Sequence, residues 1–554
     1  MWTIILSVIV IFLAGYFIYG RFLAKKLALN NADPTPACRI NDGVDYVPAR
    51  MSLLIGQHFS AIAAAGPIVG PILACLWFGW LPALLWIVLG ALFVGGTHDL
   101  YSLTASVRHG GASIGEIVKR YISQRSFIFF LVFVWLTLIY VIIAFTDITA
   151  QTFKITMEGT AFGPGVAASS FLYLLAAMVM GILMRRFRLG LSGATAIFLP
   201  VTLIIVWIGP HLPIGLLDHL SAISVRQWNV ILLAYCFIAS LMPVWALLQP
   251  RGYLGGWFLY LVIIIGLAGA IFGGFNIEYP AVCLEGFKSA ANGKPVFPLL
   301  FITIACGACS GFHGIVSSGT TSKQISREGD ALPIGYGTML LEGVVAVLAI
   351  ATVVMLPKGS DILKLDPNMI YAHGIARYLG LVKIGFGIAF PFALLAFSTF
   401  VYDTLDVCTR LARYIFQELT GWKSRTGSVF AALISLVIPL IFLLYAGEKA
   451  YLVAWPIFGT ANQLLASLIL LAVSMWLLRS GRRPYYTIIP MLFMLVMTVW
   501  SLLNLIKPFI RSFPDVIRGS APADVLIAGV CGIVLLLLSA MLVLDTVRVA
   551  GEQK

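Results

Sequence analysis

Four residues in this chain could carry a proton or a charge inside a very apolar sequence: His58, Asp99, His313 and Glu342. A charge near the centre of a bilayer costs about 2.5–3.5 kcal/mol on insertion scales, so an ionisable group there needs a reason. Asp99 follows His98 at the end of the apolar block 81–97, and Glu342 lies about a turn and a half into the block 337–356. Both are candidates for proton or ion coupling. His58 and His313 each sit beside a glycine-rich interruption of an apolar block. A histidine titrates near neutral pH and can serve as proton carrier or substrate ligand, or simply pack with its nitrogens bonded. Asp147, Asp403 and Asp406 stand at the ends of blocks, where charge is cheap, and read as interfacial; Asp147 and Asp406 are assigned structural roles.

The two interruptions are the most informative pattern. In Gly56–Pro71 two Gly-Pro steps stand four residues apart, at Gly66-Pro67 and Gly70-Pro71. Proline removes an amide donor and pushes the preceding residue out of helical geometry, so a break near Gly66 is expected. The second runs from Ala305 to Lys323 and is dense in Gly, Ser and Thr. Too many glycines for a plain helix, and too apolar a start for a plain loop, predict a helix that unwinds. Irregular backbone at membrane depth survives only where it lines a cavity or is buried in protein. Freed N–H groups at a half-helix start attract a carboxylate, and freed carbonyls attract a cation. The expected substrate contacts are therefore His58, Ser60, Gly66, Pro67 and Gly70 from the first interruption. From the second they are Ser310, His313, Ser317, Ser318 and Thr320.

The elements that position these residues are membrane spans. Sixty per cent of the 554 residues are hydrophobic and 11% charged, against roughly 25% charged in soluble domains. About fifteen apolar blocks can be counted, near 2–20, 59–79, 81–97, 126–146, 169–184, 194–209, 229–246, 257–275, 296–310, 337–356, 382–402, 428–445, 454–477, 485–506 and 525–547. Lipid cannot satisfy backbone polar groups, so such blocks are helices and the fold class is all-α, polytopic. Residues 2–20 run into Arg21, Lys25 and Lys26 without a cleavage site and read as a retained first span. With the N-terminus outside, alternate loops place 24 of the 36 Lys and Arg inside, together with the C-terminus, as the positive-inside bias requires. The two interrupted spans then run in opposite senses, as in inverted-repeat transporters. The whole of 1–554 reads as one transporter domain, with repeats near 56–276 and 296–477 and additional helices at 485–547.

The net charge of +13 lies in short loops, which argues against nucleic acid. No GxxxxGK[ST] phosphate loop is present, so an ion or solute gradient must supply the energy. Cys306 and Cys309 form a CxxC inside an apolar segment and read as small packing residues. The neutral amides of Gln249 and of Asn462-Gln463 read as interhelical hydrogen bonds. No cofactor is expected; the partners are a small solute, a coupling ion and the bilayer.

Several runs together resemble the CstA carbon-starvation family: GQHFSAIAAAGPIVGP from Gly56, GGTHDLYSLTASVRHGGASIGEI from Gly95 and QPRGYL from Gln249. CGACSGFHGIVSSGTTSKQ from Cys306, GYGTMLLE from Gly335 and FGTANQLLA from Phe458 complete the set. They follow the family's order and span most of the chain. The resemblance implies a multi-pass inner-membrane transporter with a LeuT-like core, taking up peptides or pyruvate under nutrient limitation, with protons. By analogy with LeuT-like carriers, Ser398 and Thr399 with the carbonyls near Ala65 form a candidate cation site. Two departures stand: Gly252 replaces the Asp of many members, and the chain is shorter than enterobacterial members. The alternatives are a sodium-coupled carrier, a passive channel, a membrane enzyme and a nutrient sensor. A channel lacks a filter motif here, an enzyme a dense cluster of reactive groups, and a sensor a soluble domain.

Overall fold

The computed structural model describes residues 1–157, 159–283, 295–445, 449–514 and 523–552. The first half of the chain gives α1 (Trp2–Leu27), α2 (Met51–Ile62), α3 (Gly66–Phe78), α4 (Trp80–Arg108) and α5 (Gln124–Thr152). It continues with α6 (Gly163–Arg186), α7 (Leu191–His211), α8 (Val225–Leu241) and α9 (Leu248–Phe272). The second half gives α10 (Val296–Thr303), α11 (Gly311–Gly319), α12 (Glu328–Val354), α13 (Phe386–Thr420) and α14 (Arg425–Tyr445). It ends with α15 (Ala450–Arg479), α16 (Tyr485–Arg511) and α17 (Ala523–Gly551). Among the described residues, twelve helices are long and apolar enough to cross a bilayer, or up to fourteen if each of two bent pairs is one span. The sequence count of about fifteen differs at 296–319. There neither α10 nor α11 is long enough to cross alone, since eight or nine residues rise only about 12–14 Å.

Both interruptions exist. The first leaves helical geometry at Ala63–Ala65 and bends the chain by 45° between α2 and α3. Pro67 then occupies the first turn of α3, where its missing N–H costs nothing. The second is longer: α10 ends at Thr303 and α11 begins at Gly311. The broken spans lie against each other in opposite directions. The α3 segment packs on α10, and α2 packs on α11. Two glycines permit the close approach. A Cβ on Gly70 would lie 2.2 Å from the Thr303 carbonyl oxygen, and one on Gly66 would lie 2.3 Å from Cys306 Sγ.

The surrounding bundle is reciprocal. Helix α9 packs on α2 and on α13, while α15 packs on α11 and on α5. Helices α5 and α13 cross each other at the centre. In α13, 94% of the apolar window is buried inside the protein, against 22% in α1, so α13 is core and α1 faces lipid. The loops sort to two ends. Tyr414 bonds Asp45, Arg108 bonds Glu328 and the Leu27 carbonyl, and Arg482 also bonds the Leu27 carbonyl. These belong to loops that the span count puts on one side. At the other end Lys449 and Tyr451 bond Asp366, and the Glu278 amide bonds the Val354 carbonyl.

Three helices widen into π-helical turns: Tyr16–Gly20 in α1, Gly90–Gly95 in α4 and Leu332–Gly337 in α12. All three meet at Tyr336. Its hydroxyl donates to the Leu92 carbonyl at 3.1 Å, and its ring fills the space left by Gly20 and Gly96. Such turns rotate the side chains that follow and recur at functional sites. Asp99 comes four residues after the α4 turn, and Glu342 five after the α12 turn.

Candidate functional site

Asp99, His313 and Glu342, drawn from α4, α11 and α12, form one buried chain with His98. Asp99 accepts from His98 Nδ1 at 2.7 Å on one oxygen and from His313 Nδ1 at 2.8 Å on the other. The other ring nitrogen of His313 lies 3.1 Å from Glu342 Oε2, within ion-pair range but without hydrogen-bond alignment. All four side chains are fully buried. An imidazole with a carboxylate on each nitrogen can exist as a cation that donates twice, or as a neutral ring facing a protonated acid. A proton can pass between His313 Nε2 and Glu342 without either residue moving far. His98 Nε2 and both Glu342 oxygens have no hydrogen-bond partner. Among the described residues no group of three or more His, Cys, Asp or Glu is arranged to hold a metal ion.

The second break is held by α15 and α4. Asn462 Oδ1 accepts from the Phe312 amide at 2.8 Å, and its Nδ2 donates to Ser310 Oγ at 2.9 Å. Gln463 Nε2 donates to the Cys309 carbonyl at 2.9 Å, and Trp86 Nε1 to the Ile304 carbonyl at 3.3 Å. Asn462 and Gln463 therefore bond between helices, with unwound backbone as the partner. The first break receives less. Thr404 Oγ1 donates to the Ala61 carbonyl at 2.8 Å, and the N-terminus of α3 has no side-chain cap.

The remaining predicted residues divide. His58 bonds Thr321 through Nδ1 at 2.8 Å, tying the two broken spans together, and its Nε2 is unpartnered. The hydroxyls of Ser60, Ser317 and Thr399 are buried without partners. Ser318, Thr320 and Ser398 donate to carbonyls of their own helices. Ser310 is engaged by Asn462, while Gly66, Pro67 and Gly70 shape the contact between α3 and α10. The Ala65 carbonyl is taken by the Ile68 and Val69 amides at the start of α3. The α13 hydroxyl that reaches the first break is that of Thr404, which bonds the Ala61 carbonyl and lies about one and a half turns beyond Ser398 and Thr399. Cys306 and Cys309 are both free and buried.

The expected placement of three acids at span ends is overturned. Asp403 and Asp406 do not close a span: α13 continues to Thr420, and both residues are buried in its middle. Asp406 accepts from Arg251 and, at 2.7 Å, from Tyr235, so its structural reading stands. The Arg251 guanidinium also lies 4.6 Å above the Tyr402 ring. Asp403 has no hydrogen-bond partner on either oxygen. Hydropathy missed it because the polar second half of α13 faces protein and not lipid. The signal was the helical spacing of Thr399, Asp403 and Asp406, which runs on past residue 402. Asp147, in the body of α5, accepts from the Tyr451 amide at 3.0 Å and is also structural.

Two oppositely directed discontinuous spans inside a helical bundle, with a buried group of two acids and two histidines at one of them, are the architecture of a multi-pass membrane transporter. The chain belongs to the family described as carbon starvation protein CstA, which matches residues 1–370 and 360–501. The peptide transporter CstA of Campylobacter jejuni is 30% identical over 91% of this chain and 80% of its own length. The pyruvate/proton symporter BtsT of Escherichia coli is 30% identical over 91% of this chain and 81% of its own. Among solved structures, the Eremococcus coleocola manganese transporter is similar with a TM-score of 0.49 at 12% identity, over 92% of this chain and 99% of that one.

Proposed function

We propose that the protein is a secondary transporter that imports a small carboxylate-bearing solute, pyruvate or short peptides, across the inner membrane together with protons, under carbon starvation. The observation that carries the reading is the buried His313 with Asp99 on one nitrogen and Glu342 near the other. Intramembrane acids and histidines that contact one another across helices are the usual components of proton relays. The carrier of His313 is α11, half of a broken span, so proton movement and the opening of the span are mechanically linked.

The uncapped start of α3 is the natural seat for the solute's carboxylate, with His58 and Ser60 nearby on the other side of the break. Pyruvate and peptides both present a carboxylate, and relatives named for each fit this chemistry. The basic loop end faces the cytoplasm in this reading, with the N-terminus outside. A cavity of about 270 Å³ at that end, lined by Ser113, Ser318, Lys323, Tyr414 and Glu418, gives the solute an aqueous approach beneath α11. The two halves of the cycle belong to repeats near 56–276 and 296–477, which rock against each other.

Uptake of labelled pyruvate, lactate, dipeptides and tripeptides into proteoliposomes, with and without an imposed pH gradient, tests the reading. Uptake of one of these classes, accelerated by an inward proton gradient and by no other ion gradient, is the expected result. Transport indifferent to pH, or driven by sodium alone, would remove the proton assignment.

A further inference from the structure

We propose that Asp403 is a second proton-binding site, separate from the His313–Glu342 pair and located where α2, α9 and α13 meet. This deepens the proton-coupled reading above by giving the transporter two protonatable centres, one at each broken span.

Asp403 is 1% exposed and neither carboxyl oxygen has a hydrogen-bond partner. An ionised carboxylate in that condition is an uncompensated buried charge, which proteins avoid by neutralising the group. The nearest cation attracts it but makes no hydrogen bond to it. The Arg251 guanidinium faces Asp403, but its bonds go to Asp406 and Tyr235. The other titratable or charged groups facing Asp403 are Tyr173 of α6 and Asp406 on its own helix. Tyr173 already donates its hydroxyl proton to the Arg251 carbonyl at 2.7 Å.

What surrounds Asp403 suits the acid form. Gln57 Oε1 and Ser60 Oγ, both on α2, are buried and unpartnered, and so is Thr399 Oγ1 one turn earlier on α13. Gly252 lies between Gln57 and Asp403: a Cβ there would sit 3.0 Å from Gln57 Cγ and 3.3 Å from Asp403 Oδ2. Ser60 lies beside the carboxyl without completing a hydrogen bond to it. A protonated Asp403 has an acceptor beside it, since its O–H can donate to Ser60 Oγ. On losing the proton, the carboxylate can instead accept from the Ser60 and Thr399 hydroxyls. Gln57 and Ser60 precede the first break by less than two turns, so a change of partner at Asp403 acts directly on the segment that must move. The Ala61 carbonyl, two residues before the break, is already bonded to Thr404, which leaves a proton better provided for than a larger cation.

The test uses the full-length protein in lipid and infrared difference spectroscopy over a pH titration. The wild type should show a protonated-carboxyl stretch that shifts in D₂O and disappears as pH rises. Asp403→Asn should remove that stretch, Glu342→Gln should retain it, and Asp403→Glu should move it. Because no transport is needed, this result is independent of whether the solute reading is right; that reading fails separately, by uptake indifferent to a pH gradient. A spectrum in which Asp403→Asn removes no titrating carboxyl stretch overturns the proposal. So does a wild-type stretch abolished by sodium at constant pH, which would make Asp403 a sodium ligand. As a second measurement, the proton-to-solute ratio from reversal potentials should be lower by one proton in Asp403→Asn, and an unchanged ratio counts against the site.

Discussion

The two broken spans are interrupted by different residues, Gly-Pro steps in one and glycine density in the other, and their backbones are satisfied differently. At the first break, Ala63–Ala65, the chain mostly repairs itself: the Ala63 amide bonds the Phe59 carbonyl, and one external hydroxyl, Thr404, caps Ala61. At the second, residues 304–310, the Ile304 amide bonds the Leu300 carbonyl and the Cys309 amide the Ala305 carbonyl, and other helices hold the rest through Asn462, Gln463 and Trp86. Charge follows the same division. The second break is bonded into a network of two acids and two histidines. The first is surrounded by polar groups that lack partners: His58 Nε2, Ser60 Oγ, Gln57 Oε1 and the Asp403 carboxyl. Unpaired buried groups await a ligand, a proton or a rearrangement, and the second break has them too, at His98 Nε2, His313 Nε2 and both Glu342 oxygens. What separates the breaks is the backbone: other helices anchor the second at three side chains, while the first receives one external hydroxyl.

The comparison predicts unequal histidines. His313→Ala leaves Asp99 and Glu342 buried without the ring between them. Removing one member of a buried charged pair costs about 3–5 kcal/mol, so uptake should be lost and thermal stability should fall sharply. His58→Ala removes one hydrogen bond to Thr321, worth about 1 kcal/mol, and should lower uptake with a small change in stability. Melting curves of both variants in the same detergent decide it; equal losses would erase the distinction between the spans.

Steric contact between the spans comes next. Gly66→Ala puts a Cβ 2.3 Å from Cys306 Sγ and 2.5 Å from its Cβ. Overpacking of this kind costs about 1–3 kcal/mol. Cys306→Gly in the same chain should recover part of the stability and uptake, because it removes the atoms in conflict. If the double variant is no better than Gly66→Ala, the antiparallel contact of α3 with the second break is wrong.

How far the sequence goes can be judged from these same residues. Both breaks were readable, because Gly-Pro steps and glycine density act locally on the backbone. Asp99, His313 and Glu342 were readable as candidates, because charge in an apolar block is costly wherever it falls. That they touch was not readable: Asp99 and His313 are 214 positions apart, and only the packing of α4 against α11 unites them. The π-helical turns that orient Asp99 and Glu342 have no periodic signature strong enough to see in one sequence. Asp403 was misjudged because a hydropathy window measures suitability for lipid, and α13 is surrounded by protein.

A smaller difference separates the caps of the two breaks. Asn462→Leu strips the second break of bonds to Phe312 and Ser310 and leaves buried polar groups unmet, for about 1–3 kcal/mol. Thr404→Val keeps the shape and loses one bond to Ala61, for about 1 kcal/mol. Hydrogen exchange at 304–312 should rise in the first variant, while exchange at 61–65 should change little in the second.

The least disruptive substitution should be Glu342→Gln. Both Glu342 oxygens lack hydrogen-bond partners, and the neutral amide copies the size of the protonated acid. Stability should therefore change by less than about 1 kcal/mol, as for volume-conserving replacements. Transport should nevertheless change in kind, because Gln cannot exchange a proton with His313. Solute exchange at equal concentrations needs no net proton movement and should persist, while accumulation driven by a pH gradient should fail and the pH profile of uptake should flatten. Accumulation that survives at the wild-type level would detach Glu342 from coupling. The anchored network would then be a device for holding the second span, and the first break, with Asp403, would remain as the place where protons meet the moving helix.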